Sequence, residues 1–63
     1  MDIRVTTIDS QGRFSEPSFQ WVPSFSDLVE QIQQRGVTCI VRQGLIRYTL
    51  GDWTKEIEAI NPD

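Results

Sequence analysis

The clearest pattern in the chain is that of an amphipathic helix. Ser24 is suited to the N-cap position, and Asp27 follows three residues later, as in a capping box. Gly36 suits the left-handed position that ends a helix. The apolar side chains between these ends recur with helical spacing: Phe25, Leu28, Val29 and Ile32. We therefore predict a helix over residues 25–35 whose apolar side packs on a β-sheet.

The N-terminal third of the chain has the alternation of β-strands. Residues 2–8 are rich in β-branched side chains, and residues 9–12 begin with Asp and end with Gly, as type I turns often do. A second, less regular strand is predicted over residues 13–21, where Pro17 bends the strand or places it at a sheet edge. Two aromatic side chains alternate toward one face of this strand: Phe19 and Trp21.

Two short turns after the helix predict a strand register. If Gln43-Gly44 and Gly51-Asp52 are two-residue turns, the side chains sort onto two faces. The first face is apolar and receives the helix, with the pairs Val37–Leu50, Cys39–Tyr48, Val41–Ile46, Leu50–Trp53 and Ile46–Ile57. The second face is mixed and solvated, with the pairs Thr38–Thr49, Ile40–Arg47, Arg42–Leu45, Thr49–Thr54 and Arg47–Glu56.

The last element has two interpretations. Residues 53–60 form either a strand or a short helix capped by Asp52, because Trp53, Ile57 and Ile60 also fit a helical spacing. The cross-strand charge pair and the turn dipeptide favour the strand, and Asn61-Pro62 ends the element in both cases. We therefore predict an α+β fold of order ββαβββ, with one helix on one face of an antiparallel sheet; the alternative order is ββαββα.

Length and composition narrow the class of protein. A chain of 63 residues has room for a single domain over residues 1–63 with a small core. Six basic and nine acidic residues give a net charge of −3, which disfavours a general nucleic-acid binder. One cysteine excludes an intrachain disulfide, and neither a targeting segment nor a membrane span is evident. We expect a soluble, cytoplasmic protein without membrane association.

The reactive side chains do not assemble into a recognisable catalytic motif. The chain has no histidine, and the predicted register places Cys39 beneath the helix as a buried, structural thiol. The carboxylate pairs have structural explanations at a helix N-terminus or on a solvated strand face: Asp27 with Glu30, and Glu56 with Glu58. We therefore expect no enzymatic activity, no metal ligands and no cofactor.

The second, solvated sheet face is the candidate binding surface. Ile40 and Leu45 are predicted to be exposed there beside Arg42 and Arg47, which is the residue mix of a protein interface. Trp21 is a further candidate because tryptophan is frequent at interface hot spots. These residues favour a non-enzymatic protein-binding module or a small regulator or inhibitor of a larger intracellular assembly.

Two other functions remain open from the sequence. The same sheet face could bind nucleic acid as an accessory module, through its arginines and neighbouring aromatic side chains. An exposed strand edge could also support dimerisation. The identity of the partner and the oligomeric state do not follow from the residues.

Overall fold

The computed structural model describes residues 1–60, and within them five strands and one helix follow one another in the order ββαβββ. Their bounds are β1 Asp2–Ile8, β2 Ser18–Trp21, α1 Phe25–Gln34, β3 Cys39–Arg42, β4 Leu45–Leu50 and β5 Trp53–Ala59. The predicted α+β fold is confirmed, and the alternative with a C-terminal helix is wrong. The predicted stop at Asn61-Pro62 lies outside the described residues.

The strands form one antiparallel sheet in the order β2-β1-β5-β4-β3. The first strand therefore pairs with the last, and both lie inside the sheet. Val5 is opposite Ile57, and Ile57 is in turn opposite Ile46, so one row of β-branched side chains crosses the three inner strands. Such cross-strand pairs stabilise a sheet by about 0.2–1 kcal/mol each.

The predicted register of the two hairpins is correct between β3, β4 and β5. Cys39 pairs with Tyr48 across the first hairpin, and Leu50 pairs with Trp53 across the second. The prediction fails at the start of β3, because this strand begins at Cys39 and does not include the pairs Val37–Leu50 and Thr38–Thr49. After the turn at Gly36, residues 37 and 38 instead bring the chain from the helix down to the sheet.

The second strand is shorter than predicted. It covers only Ser18–Trp21, directly after Pro17, whereas residues 13–21 were expected to be extended. An isolated bridge between Ile8 and Phe14 is all that remains of strand pairing before the interruption. The expected edge position of this strand is confirmed by the sheet order.

The turn after β1 forms as predicted. The Gly12 N–H donates to the Asp9 carbonyl oxygen at 3.0 Å, and Gly12 has φ = +81°, a value that favours glycine. Asp9 Oδ1 accepts hydrogen bonds from the backbone N–H groups of Gln11 and Arg13, both at 2.9 Å. The Asp side chain therefore holds both sides of the turn together.

The helix has the ends that its sequence predicts. The Asp27 N–H donates to Ser24 Oγ at 3.1 Å, which satisfies one of the free N–H groups of the first turn. At the other end Arg35 is the C-cap, and Gly36 has φ = +76° in the left-handed region. The helix is one residue shorter than predicted, since it ends at Gln34.

The core lies where the helix crosses the middle of the sheet. Four isoleucines are buried there: Ile3, Ile32, Ile46 and Ile57. Helix α1 connects the two edge strands, β2 and β3, which run in the same direction. The chain must therefore cross the sheet from the end of β2 to the start of β3, that is, diagonally.

The diagonal path leaves parts of the apolar face uncovered. Val41, Leu50 and Trp53 retain exposures of 46%, 56% and 52% on the same face as the core. The prediction that the helix covers this whole apolar face is therefore wrong at Val41, Leu50 and Trp53. A ten-residue helix is only about 15 Å long and 10 Å wide, less than the face of a five-stranded sheet.

Core and surface isoleucines on the same hairpin should differ sharply in their effect on stability. Ile46→Ala should lower the free energy of unfolding by about 2–5 kcal/mol, because Ile46 is 0% exposed and the substitution leaves a cavity. Ile40→Ala is the matched control and should lower it by less than about 1 kcal/mol, since Ile40 is 58% exposed. Urea denaturation measures both values. Equal losses would contradict the assignment of the two faces.

The two serines at the start of the helix should contribute differently to the stability of the protein. Ser24→Ala removes the acceptor of the Asp27 N–H and should lower the free energy of unfolding by about 0.5–2 kcal/mol. Ser26→Ala, two residues further along and exposed inside the helix, should be neutral or slightly stabilising because alanine is the better helix former. If thermal denaturation finds the two variants equally stable, the cap does not stabilise the helix.

Candidate binding surface

The sheet face opposite α1 is identified by its register. Residues directly opposite one another in an antiparallel sheet point to the same side, and Ile3 points to the core. Side chains alternate between the two faces along β1, so Arg4 and Thr6 point away from the helix, together with every residue paired to them. No element within residues 1–60 covers this side, which we call the open face.

The predicted binding residues on β3 and β4 lie together on the open face. Ile40 is paired with Arg47, and Arg42 with Leu45, so the four side chains form a compact square. Ile40 is 58% exposed, and both arginines are exposed. These four residues are called the β3–β4 patch below.

Leu45 differs from its prediction. It was expected to be exposed, but it is half-buried. The reason is its place on an inner strand, where Arg42 lies opposite on one side and Glu58 on the other. Long charged side chains cover apolar neighbours with their methylene stems. Leu45 therefore contributes less free surface to the patch than Ile40 does.

The charges of the open face are only partly paired. Arg4 forms an ion pair with Glu58 at 3.0 Å across β1 and β5. Glu56 lies opposite Arg47 in the register, yet neither Arg47 nor Arg42 forms an ion pair with any residue in the described range 1–60. Two guanidinium groups therefore remain available beside Ile40.

Trp21 lies at the opposite edge of the open face. It is 68% exposed on β2, four strand spacings or about 19 Å from β3. The structure therefore does not bring Trp21 together with the other four predicted residues. Its aromatic neighbour is instead Phe19, which lies two residues away on the same face of β2 and is 66% exposed.

A third apolar area lies on the helix side of the sheet. Leu50 and Trp53 form a shallow depression with Thr7, Ser15 and Lys55, at the end of the strands that the helix does not reach. The Lys55 Nζ donates a hydrogen bond to Thr7 Oγ1 at 3.0 Å there. Sequence reasoning missed this area because it assumed that the whole apolar face is covered. The length of the predicted helix was the signal that it is not.

The reactive groups are dispersed in the structure. Cys39 is half-buried near the end of the helix rather than buried beneath it. Within residues 1–60 no three acidic or cysteine side chains come close enough together to hold a metal ion. Glu56 and Glu58 point to the open face next to arginines, which accounts for both carboxylates. The described part of the chain also contains no helix long and apolar enough to cross a membrane.

Comparison with family models, curated proteins and solved structures gave no match to this chain. The assignment of a function therefore depends on the residues of the chain and on their arrangement.

The exposure of Cys39 can be measured with a thiol reagent. Because the thiol is half-buried, it should react in the native protein, but more slowly than in the urea-denatured chain. A native rate equal to the denatured rate would show that the side chain is fully exposed. A rate limited by global unfolding would instead show that the helix covers β3 completely.

Proposed function

We propose that this chain is a non-enzymatic protein-binding module, or small regulator, that holds a partner protein on its β3–β4 patch. The observation that supports this function best is the exposure of Ile40 between two arginines without an ion-pair partner in residues 1–60. An apolar centre beside arginines is typical of interfaces, where Arg is enriched and Lys is depleted.

The patch suits a particular kind of partner surface. Ile40 would be covered by an apolar side chain, while Arg42 and Arg47 would each receive a carboxylate. Guanidinium groups form two parallel hydrogen bonds with a carboxylate, which gives the contact a defined orientation. The partner is therefore an acidic protein surface with an apolar centre, despite the net charge of −3 of the whole chain.

The non-enzymatic part of the proposal is supported by the chemistry of the side chains. The chain has no histidine, so it lacks the one side chain whose unperturbed pKa lies near neutrality. Its single thiol has no histidine base in the chain, and the Glu58 carboxylate is held in an exposed ion pair with Arg4. An intracellular location is part of the same proposal, because a lone cysteine is typical of reducing compartments.

Nucleic-acid binding is the second candidate. The observation in its favour is the exposure of Phe19 and Trp21 on a sheet face that also carries Arg4. Bases stack on such aromatic side chains in small sheet proteins. The acidic net charge argues against it, since binding of a phosphate backbone requires a surplus of basic groups.

Substitutions in the patch test the first function. The chain is immobilised, proteins retained from a lysate of the native host are identified, and the dissociation constant of the purified partner is measured. Ile40→Ala and Arg47→Ala should each weaken binding at least tenfold, as expected at an interface hot spot, with little change in thermal stability. Arg13→Ala is the matched control, because its side chain is 73% exposed on a loop outside the patch, and its affinity should be unchanged.

Two outcomes would contradict this function. Unchanged affinity in both patch variants would exclude the β3–β4 patch as the contact surface. Binding of a fluorescent single-stranded oligonucleotide that weakens steeply as salt is raised, and that is lost in Phe19→Ala, would establish the second candidate instead.

A further inference from the structure

The free edge of β2 has a defined set of unpaired backbone groups. Met1 and Val22 exchange two hydrogen bonds, each at 3.0 Å, so this is a hydrogen-bonded pair of the β1–β2 ladder. Hydrogen-bonded and non-hydrogen-bonded pairs alternate along an antiparallel ladder. Ser18 and Gln20 therefore direct their backbone groups toward β1, and Phe19 and Trp21 direct theirs away from the sheet.

Two prolines limit this edge on both sides. The outward positions continue at Pro17 and Pro23, which have no N–H group. Phe19 and Trp21 thus carry the only outward N–H groups between the prolines. A strand that adds to this edge can receive N–H groups from these two residues only, so the pairing is confined to a short segment.

We propose that the partner at this edge is a second copy of the same chain, paired antiparallel along β2. In the symmetric register, Phe19 of one copy lies opposite Trp21 of the other, and Gln20 lies opposite Gln20. All four outward N–H groups then donate to carbonyl oxygens across the two-fold axis. Both copies contribute the same strand, so the contact closes as a dimer with a continuous ten-stranded sheet.

The same register also brings the aromatic side chains of the two copies together. Phe19 and Trp21 both point to the open face, so pairing places four aromatic side chains together on one side of the joined sheet. They are 66% and 68% exposed in the single chain, although aromatic side chains are among the strongest contributors to interfaces. The pairing therefore covers the most exposed aromatic strand in the described residues.

The other edge strand is less suited to self-pairing. Strand β3 also has a free edge, but Arg42 lies on it and Arg47 lies next to it, both without an ion pair within residues 1–60. Two copies joined there would bring four unpaired guanidinium groups to one interface, where their like charges repel. The open-face neighbours of β2 are instead Asp2 and Arg4, of opposite charge, and Arg4 is already paired with Glu58.

The area of the contact predicts a weak dimer. A buried aromatic side chain covers roughly 150–250 Å², so Phe19 and Trp21 of two copies, each about two-thirds exposed, would cover roughly 400–700 Å² in total. Stable complexes bury at least about 1,200 Å². The dimer should therefore form progressively over roughly 10 µM to 1 mM chain.

This inference is independent of the proposed function, because the β3–β4 patch lies three to four strand spacings, roughly 14–19 Å, from β2 and stays free in the dimer. Sedimentation equilibrium tests it directly. The mean mass should rise from one toward two chains as the concentration increases. Trp21→Lys should abolish the rise, whereas Ile40→Lys, on the opposite edge strand of the same face, should leave it unchanged.

A disulfide test reports the register. In a Cys39→Ser background, Gln20→Cys places two thiols at a non-hydrogen-bonded pair with Cα atoms about 4.5 Å apart, within the range that a disulfide bridges. Ser18→Cys is the matched control on the same face of β2. Its two copies lie four residues out of register, roughly 13 Å apart, too far to be bridged. Mild oxidation should cross-link Gln20→Cys far faster than Ser18→Cys.

Each contrary result overturns the inference. A wild-type chain that remains monomeric up to about 1 mM has no dimer at this edge. Dimerisation that is lost in Ile40→Lys but kept in Trp21→Lys would place the contact on β3. Equal cross-linking of the two cysteine variants would show collision without a fixed register. Circular dichroism of each variant confirms that the fold is retained.

Discussion

The structure depends on the contact of one helical side chain with three strands. Ile32 is the only buried residue of α1, and it meets Ile3, Ile46 and Ile57, one from each inner strand of the sheet. Burial of an isoleucine side chain contributes roughly 1.5–3 kcal/mol, so this cluster accounts for much of what a chain of 63 residues can gain from its core. The N-terminal strand, the helix and the C-terminal hairpins are joined at this one place.

The same constraint determines what remains on the surface. One helix of ten residues cannot cover five strands, so one face stays open and the covered face keeps exposed apolar corners at Val41, Leu50 and Trp53. The open face is divided between two edges of different chemistry. Aromatic side chains lie along β2, whereas Ile40 and two arginines without ion pairs in residues 1–60 lie along β3 and β4. The two edges therefore carry the two proposed contacts, a second copy at the first and an acidic partner at the second.

The elements with local signals could be predicted from the sequence. The helix follows from its apolar spacing and its serine cap, and the register of β3, β4 and β5 follows from two glycine-containing turns. The errors concern distances between elements. The start of β3 depends on how far the chain descends from the helix, and the exposure of Trp53 depends on the diagonal path of α1. Neither quantity is encoded in a local pattern.

In the candidate site, too, the local strand pairs were predicted correctly and the distances between elements were not. Its four residues on β3 and β4 were predicted to be neighbours, and the register places them so. The separation of Trp21 from them could not be predicted, because it depends on the insertion of β1 and β5 between the two edges of the sheet. Leu45 was expected to be exposed because sequence alternation assigns a face but does not identify the inner strands, where neighbours shield a side chain.

The claim that one helix covers one face and leaves the other open can be tested by methyl-to-methyl nuclear Overhauser effects in the labelled protein. The Ile32 methyl groups should show contacts to Ile3, Ile46 and Ile57, because all four belong to the buried cluster. The Ile40 methyl groups should show none to any residue of α1, since Ile40 lies on the opposite face. Contacts between Ile40 and the helix, together with their absence at Ile46, would contradict the account by placing the helix on the other side of the sheet.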